Sequence, residues 1–285
     1  SEKFRTSVDL TYQAQDIQRP NRVLLALPGF AIPAAPRAER SFQQRWETYD
    51  SEFAALATRF EYDVLPGTTV FAGFGVSRFR DEFFTGNPTL VNARGDIRTQ
   101  IALQTFEFDQ RTAEVGTRSR FATGPLRHEV SLVASGYWRD VASSPSGNAG
   151  AAILSNIYNP TLVPERSRRG LSGDTRRNFD SALSSLAIAD TVSAFEDRVQ
   201  LLLGLRLQRV DTRSFDIVSG AKTSDYDRTE LTPAVGLTVR PWRPLSLYAS
   251  YIEGLAPGPT APQGAVNFGE AFAPVKPGGP DELSV

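Results

Sequence analysis

The chain alternates between apolar and polar residues over several segments of about ten positions. The clearest segment runs from Val199 to Gln208, where every odd position is Val or Leu and the even positions, Leu202 excepted, are Gln, Gly and Arg. Because successive side chains of a β-strand point to opposite faces, this segment presents one aliphatic wall and one polar wall. As a helix it would scatter arginine and leucine around every side. The pattern therefore predicts a strand with two unlike faces.

The same alternation recurs along the chain and predicts an all-β, antiparallel protein. We predict nine strands, at about 4–12, 53–64, 69–80, 102–122, 127–140, 179–192, 197–210, 231–240 and 245–252. Tight turns are expected between alternate strands, most of them marked by Gly or Pro, at Pro66–Gly67, Gly124–Pro125, Ser193–Ala194 and Pro241–Pro244. Long loops are expected between the others, at about 14–52, 81–101, 141–178 and 211–230.

A soluble β-sandwich also alternates, since one face of each sheet meets the core and the other meets water. Two features favour a membrane barrel instead. Aromatic residues stand at the ends of several apolar faces, as at Phe4, Tyr12 and Trp138, where a barrel wall meets the membrane interfaces. Turns at one end of the sheet and long extracellular loops at the other are typical of an outer-membrane barrel. Such barrels have an even number of strands, so nine strands predict part of an antiparallel transmembrane β-barrel wall.

Composition argues against most catalytic sites. The 285 residues include no Cys and a single His, which excludes thiol nucleophiles, disulfides and three-histidine metal centres. The 31 basic and 32 acidic residues nearly balance, whereas a nucleic-acid-binding protein normally has a basic excess. We assign no catalytic residue and no metal ligand, and we interpret His128 as a surface or interface histidine. The chain is predicted not to be an enzyme.

Several short stretches, in order along the chain, resemble those of TonB-dependent siderophore receptors. They are Gly124-Pro125-Leu126-Arg127-His128, Phe195 to Val210 with Gly204-Leu205-Arg206 inside it, Leu231-Thr232-Pro233-Ala234-Val235-Gly236-Leu237, Leu245 to Gly254, Asn267-Phe268-Gly269-Glu270 and Ala273-Pro274-Val275-Lys276. The resemblance is strongest over about 195–276. One departure is Leu207-Gln208, which stands where the family has a Tyr-Asp pair.

The resemblance implies a barrel of about 22 strands, of which this chain forms the middle part without the N-terminal plug or the final strands. It also implies a receptor in the outer membrane of a Gram-negative bacterium. Such a receptor binds a ferric siderophore and is energised by the TonB complex acting on the plug, with no directly bound cofactor. We expect a monomer in contact with lipid and lipopolysaccharide. A passive porin or channel and a soluble β-sandwich binding module are the alternatives.

Aromatic and basic side chains are the candidates for ligand binding, since a ferric chelate offers an apolar rim and many oxygen atoms. Tyr137 and Arg139 fall on the polar face of their strand, and Phe79 shares that face. Candidates assigned to the long loops are Phe84, Tyr158, Arg168 and Arg169. The last two belong to a cluster suited to binding oxyanions, formed by Arg166, Arg168, Arg169, Arg176 and Arg177. For the aromatic residues and Arg139, ordinary packing against the plug or adjacent loops is the alternative. For the arginine cluster, the alternative is a solvated loop.

Further charges on the polar faces of the strands are expected to form ion pairs across strands and against a plug rather than a catalytic site. They are Arg59, Glu61, Glu114, Arg118, Arg120, Arg198 and Arg206.

Overall fold

The computed structural model describes residues 3–39, 41–242 and 244–256. No helix among these residues is long and apolar enough to cross a membrane. The strands are β1 (Phe4–Gln18), β2 (Leu25–Ala26), β3 (Thr48–Leu65), β4 (Thr68–Thr85), β5 (Pro88–Leu90), β6 (Asp96–Thr99), β7 (Ala102–Thr123), β8 (Leu126–Ser143), β9 (Gly147–Asn148), β10 (Ile153–Asn156), β11 (Arg176–Ala194), β12 (Val199–Phe215), β13 (Lys222–Trp242) and β14 (Leu245–Ile252).

Nine long strands form one antiparallel sheet, as the sequence pattern predicts. Their order is β1-β3-β4-β7-β8-β11-β12-β13-β14, and the short β9 adds to β7. Each long strand therefore pairs with the next long strand along the chain. Among the described residues, β1 and β14 lie at opposite edges and do not pair with each other, so the sheet is an open, partial wall.

Most predicted connections are confirmed, but two are wrong. The turns at Pro66–Gly67 and Gly124–Pro125 lie where predicted. The turn expected at Ser193–Ala194 instead occupies 195–198, after the end of β11. Three consecutive residues of that turn have a positive φ, namely Phe195 (53°), Glu196 (55°) and Asp197 (66°). None of them is glycine, so the sequence did not mark the turn.

The long loop predicted at 211–230 is also wrong. The strands β12 and β13 continue through this range and leave only residues 216–221 between them. Both faces of the strands are polar here, and pairs such as Arg209–Asp227, with 2.7 Å between nitrogen and oxygen, connect them. The alternation of apolar and polar residues stops, although the backbone ladder does not. The other three long loops are shorter than predicted, at 19–47, 86–101 and 144–175.

The long strands have the two unlike faces that the sequence predicts, here called the aliphatic face and the polar face. On the aliphatic face, Leu203, Leu205 and Leu207 have 47%, 49% and 48% of their surface exposed. A β-sandwich would bury such a face against a second sheet. This wall of half-exposed leucines instead fits contact with lipid hydrocarbon.

The aliphatic face becomes charged towards the loop end of the sheet. Beyond Trp138, paired arginines and carboxylates replace the apolar residues, as in Arg80–Glu107 at 3.0 Å and Arg111–Asp140 at 3.4 Å. The strands therefore continue past the apolar band into a polar environment.

The three long loops fold together into a cap with its own hydrophobic core. A four-stranded sheet in the order β10-β6-β5-β2 joins them, with β2 and β5 parallel. One cluster is formed by Leu90, Ile97 and Ile157, and another contains Phe84, Ile101 and Ile153. The loops are also tied by Trp46, whose Nε1 donates to the carbonyl oxygen of Val163 at 2.9 Å.

Glu47 lies at the centre of the cap with 1% of its surface exposed. Its carboxylate accepts hydrogen bonds from the backbone N–H of Gln44, at 2.7 Å, and from the hydroxyl of Thr85. Burial raises the pKa of Glu47 above its usual value, although these hydrogen bonds act in the opposite direction. The first loop is thereby held to the end of β4.

Candidate functional site

Six aromatic rings form a continuous ladder on the polar face, near the loop end of strands β3, β4 and β7. The ring centroids of Tyr49 and Phe83 are 4.6 Å apart, and those of Phe79 and Phe108 are 5.8 Å apart. The ring ladder consists of Tyr49, Phe53, Phe79, Phe83, Phe106 and Phe108. All six are partly exposed, so the ladder offers aromatic surface to the space beside the polar face.

Two arginines cover the ring ladder from different parts of the chain. The guanidinium of Arg139, on β8, lies 5.1 Å from the centroid of Phe108, and that of Arg22, in the first loop, lies 4.9 Å from Phe83. Neither guanidinium forms an ion pair with a described residue, and in both the Nε is buried without a hydrogen-bond partner. Each guanidinium therefore contacts an aromatic ring, with no described carboxylate within ion-pair distance.

A cleft of about 320 Å³ lies on the polar face, where β7, β8, β11 and β12 line it. Hydroxyl, amide and guanidinium groups line it, among them Tyr137, Ser185, Arg206 and Gln208. Tyr137 donates a hydrogen bond to Gln110 at 2.9 Å, and Arg206 donates one to Ser185 at 3.0 Å. Aromatic surface and hydrogen-bonding groups thus meet on one face, as ligand sites commonly require.

Towards the turns, the polar face carries a network of ion pairs. Glu61 accepts hydrogen bonds from Arg59 at 3.0 Å and from Arg118 at 2.9 Å, and Arg59 also pairs with Glu114. Arg120 pairs with Glu129 at 3.1 Å. The predicted pairing is thus confirmed for five of the seven charges.

The two remaining charges do not form the predicted pairs. Arg206 donates to Ser185 instead, and Arg198 has no ion pair among the described residues.

The structure brings three of the seven predicted site residues together: Phe79, Tyr137 and Arg139 share the polar face beside the ring ladder. Phe84 does not join them, because neighbouring strand residues alternate between faces and it follows Phe83. Its surface is fully buried in the cap core, where it contacts Trp46. Phe84 is therefore a core residue at the end of β4 and not a loop residue that could touch a ligand.

Arg168 packs beside Phe84 rather than at the ring ladder. Its guanidinium lies 4.3 Å from the Phe84 centroid and donates to the hydroxyl of Thr48 at 3.1 Å. Tyr158 is tied to the first loop, since its hydroxyl donates to the carbonyl oxygen of Ala34 at 2.5 Å. Arg169 is exposed on the cap. These three side chains belong to the cap, on a different part of the surface from Tyr137 and Arg139.

The predicted arginine cluster is dispersed in three dimensions. Arg166 donates to the carbonyl oxygen of Ala151, while Arg177 binds Asp180 and covers the ring of Phe215. Arg176 reaches the carbonyl oxygens of the 216–221 connection. Most of these guanidiniums thus hold the cap and the strand ends together.

His128 lies on the aliphatic face near the turns. Its ring stacks on Phe121, with 5.0 Å between centroids, and its nitrogens bond Asp190 at 2.8 Å and Thr123 at 2.6 Å. This placement agrees with an interface histidine. No group of three or more His, Asp or Glu among the described residues is arranged to hold a metal ion.

Sequence reasoning missed most of the ring ladder. Phe106 and Phe108 alternate within β7, and Phe79 and Phe83 lie four residues apart in β4, all at polar-face positions. The sequence did contain one signal for the ring ladder: these phenylalanines occupy positions that are polar elsewhere in the same strands. Arg22 had no such signal, because only the fold of the first loop brings it to Phe83.

Comparison with known proteins gives consistent matches over nearly the whole chain. The family profile described as "TonB dependent receptor-like, beta-barrel" matches residues 2–282. The ferrichrome receptor FcuA of Yersinia enterocolitica is 33% identical over 264 residues, which are 92% of this chain and 34% of that protein. The chain therefore spans about a third of the length of that relative. Proteins of this family are receptors and transporters.

Solved structures share the fold. BauA, the ferric preacinetobactin receptor of Acinetobacter baumannii, superposes with a TM-score of 0.81 at 26% identity, covering 96% of this chain and 41% of that one. The siderophore receptor PiuA of the same species gives a TM-score of 0.69 at 15% identity, covering 90% of this chain and 40% of that one. The predicted motifs at 267–270 and 273–276 lie outside the described residues.

Proposed function

Because this chain belongs to the TonB-dependent receptor family, whose β-barrels lie in the outer membrane of Gram-negative bacteria, we propose that it is part of a receptor for a ferric siderophore. The aliphatic face meets lipid, and the polar face lines the interior of the barrel. The space beside the polar face is then the route by which ligand enters.

The single observation that carries this proposal is the ring ladder with two arginines that form no ion pair with any described residue. A closed structural wall would cover its rings and pair its charges. In this structure the rings are partly exposed, and they share the polar face with Tyr137 and Arg139. All of them lie near the loop end, where a ligand from the medium arrives first. We assign ligand contact to Phe79, Tyr137 and Arg139. Tyr158, Arg168 and Arg169 shape the cap above the site.

Three further partners belong to this proposal. Transport is energised by the TonB complex acting on a plug inside the barrel, as the family resemblance implies. Lipid hydrocarbon covers the leucine wall, and the charged rim beyond Trp138 lies among the head groups of lipopolysaccharide, where guanidinium and phosphate groups attract each other. The receptor acts as a monomer.

The test is ligand binding by the receptor expressed from its complete gene and purified in detergent. Saturable binding of one class of ferric siderophore is expected. Nonspecific conductance in planar bilayers, with no binding of any ferric siderophore, would instead establish a passive channel. A double substitution in the ring ladder, Phe79→Ala with Phe108→Ala, should weaken siderophore binding at least tenfold. Phe74→Ala on the aliphatic face is the matched control and should leave binding unchanged.

A further inference from the structure

We infer that the ligand is an anionic ferric chelate built from aryl oxygen donors, held against the ring ladder by Arg22 and Arg139. This inference rests on the proposed function and narrows it to one class of siderophore. Catecholate and related aryl chelates carry rings that can stack on the ring ladder, together with the negative charge that its two arginines attract.

The first argument is electrostatic. Near the turns, several arginines of the polar face have carboxylate partners: Arg5 binds Asp63 at 2.6 Å, and Arg120 binds Glu129 at 3.1 Å. Arg22 and Arg139 have no carboxylate partner among the described residues. The Nε of each is also buried with no hydrogen-bond partner there. Both side chains are partly exposed, so an anionic ligand can reach their guanidiniums.

The nearby carboxylates are already engaged elsewhere. Asp81 accepts a hydrogen bond from the hydroxyl of Tyr49 at 2.8 Å, and it lies within ion-pair distance of neither arginine. Glu47 attracts Arg22 through space, but its oxygens are bound by Gln44 and Thr85. No described carboxylate forms an ion pair with Arg22 or Arg139, so positive charge remains beside the rings, and an anionic ligand is drawn to it.

The second argument comes from the shape and chemistry of the ring ladder. Six partly exposed rings offer flat apolar faces and edges, onto which an aryl ring stacks favourably. A neutral, aliphatic trihydroxamate complex has no ring to stack and no charge for the guanidiniums. A ferric citrate complex has the charge but no ring. Only an aryl chelate uses both features of the surface.

The experiment compares three probes on the receptor expressed from its complete gene: ferric enterobactin as the trianionic tris-catecholate, ferrichrome as the neutral trihydroxamate, and ferric citrate. Affinities are measured by isothermal titration calorimetry in detergent. The tris-catecholate is expected to bind at least tenfold more tightly than either other probe. Arg139→Gln and Arg22→Gln should each reduce its affinity about tenfold, since each removes a charge-assisted contact.

Control variants separate this inference from a general loss of structure. Arg139→Lys keeps the charge and should restore part of the affinity. Arg177→Gln, which removes an arginine that covers Phe215 away from the ladder, should change nothing. Tighter binding of ferrichrome, or equal binding of ferric citrate and the tris-catecholate, would overturn the inference while leaving a siderophore receptor. Failure of every probe would count against the proposed function itself.

Discussion

Leu203 and Asp190 stand directly opposite each other in the β11–β12 ladder, so a carboxylate shares the aliphatic face with a leucine. One oxygen of Asp190 bonds His128 at 2.8 Å, while the other is buried without a partner. The neighbouring Leu205 is paired with Ile188 and has no such carboxylate. Two leucines with nearly equal exposure therefore have different electrostatic surroundings.

This difference predicts unequal costs for introducing a cation into the leucine wall. Leu205→Arg should destabilise the folded barrel by about 2–4 kcal/mol, the usual cost of arginine on the lipid face near the midplane. Leu203→Arg should cost at least about 1 kcal/mol less, because Asp190 supplies a partner. Denaturant titration of the complete barrel in lipid vesicles measures both. Gln200→Arg on the polar face is the control and should cost less than either, and equal costs at 203 and 205 would contradict the pairing.

The buried carboxylate of Glu47 predicts a pH-dependent cap. Because its pKa in the folded state is raised by burial, its contribution to stability is fully present below the unfolded-state value of about 4.5 and is lost as the pH rises through the folded-state value. The cap should therefore unfold more easily at pH 8 than at pH 4. Trp46 fluorescence reports this in a background where every other tryptophan of the expressed receptor, Trp138 and Trp242 among them, is replaced by Phe. Glu47→Gln should make the stability of the cap less dependent on pH. If the pH dependence is unchanged in that variant, the effect belongs to another group.

Gly86 predicts a steric limit at the base of the cap. A Cβ built there would lie 2.1 Å from the carbonyl oxygen of Gln100, closer than any real contact. Gly86→Ala should thus destabilise the cap by about 1–3 kcal/mol, as overpacking does elsewhere. The same Trp46 signal measures the loss. At Gly254 the Cβ would meet no heavy atom within 4 Å, so Gly254→Ala should leave the signal unaltered.

The β11–β12 turn predicts a stabilising substitution. Glu196 is exposed, has a φ of 55° and makes no side-chain contact that would be lost. Each non-glycine residue in this conformation costs about 1–2 kcal/mol, and glycine removes that cost while adding freedom to the unfolded chain. Glu196→Gly should therefore raise the unfolding free energy by up to about 1 kcal/mol in the vesicle titration. Glu52→Gly in the extended strand β3 should lower it, and a loss at both positions would show that the turn is not strained.

The alternation of apolar and polar residues was enough to predict the nine strands and their two faces. A strand that meets lipid on one side and the barrel interior on the other must alternate, because each residue's face is fixed by its position in the strand. Leu203, Leu205 and Leu207 lie on the face that this rule assigned to them. Tyr137, Arg139 and Phe79 were placed correctly by the same rule.

Only the tertiary structure decided what happens above the apolar band. In β12 and β13 both faces are polar beyond this band, so the two strands continue through 211–230 with no alternation to mark them. Backbone hydrogen bonds and pairs such as Arg209–Asp227 hold them together. The cap and the ring ladder depend on contacts between distant segments. Arg22 meets Phe83, and Phe84 is buried in the cap core, because three loops fold together into the cap. A local pattern carries no information about such contacts, since they are set by packing between loops rather than by the period of any one strand.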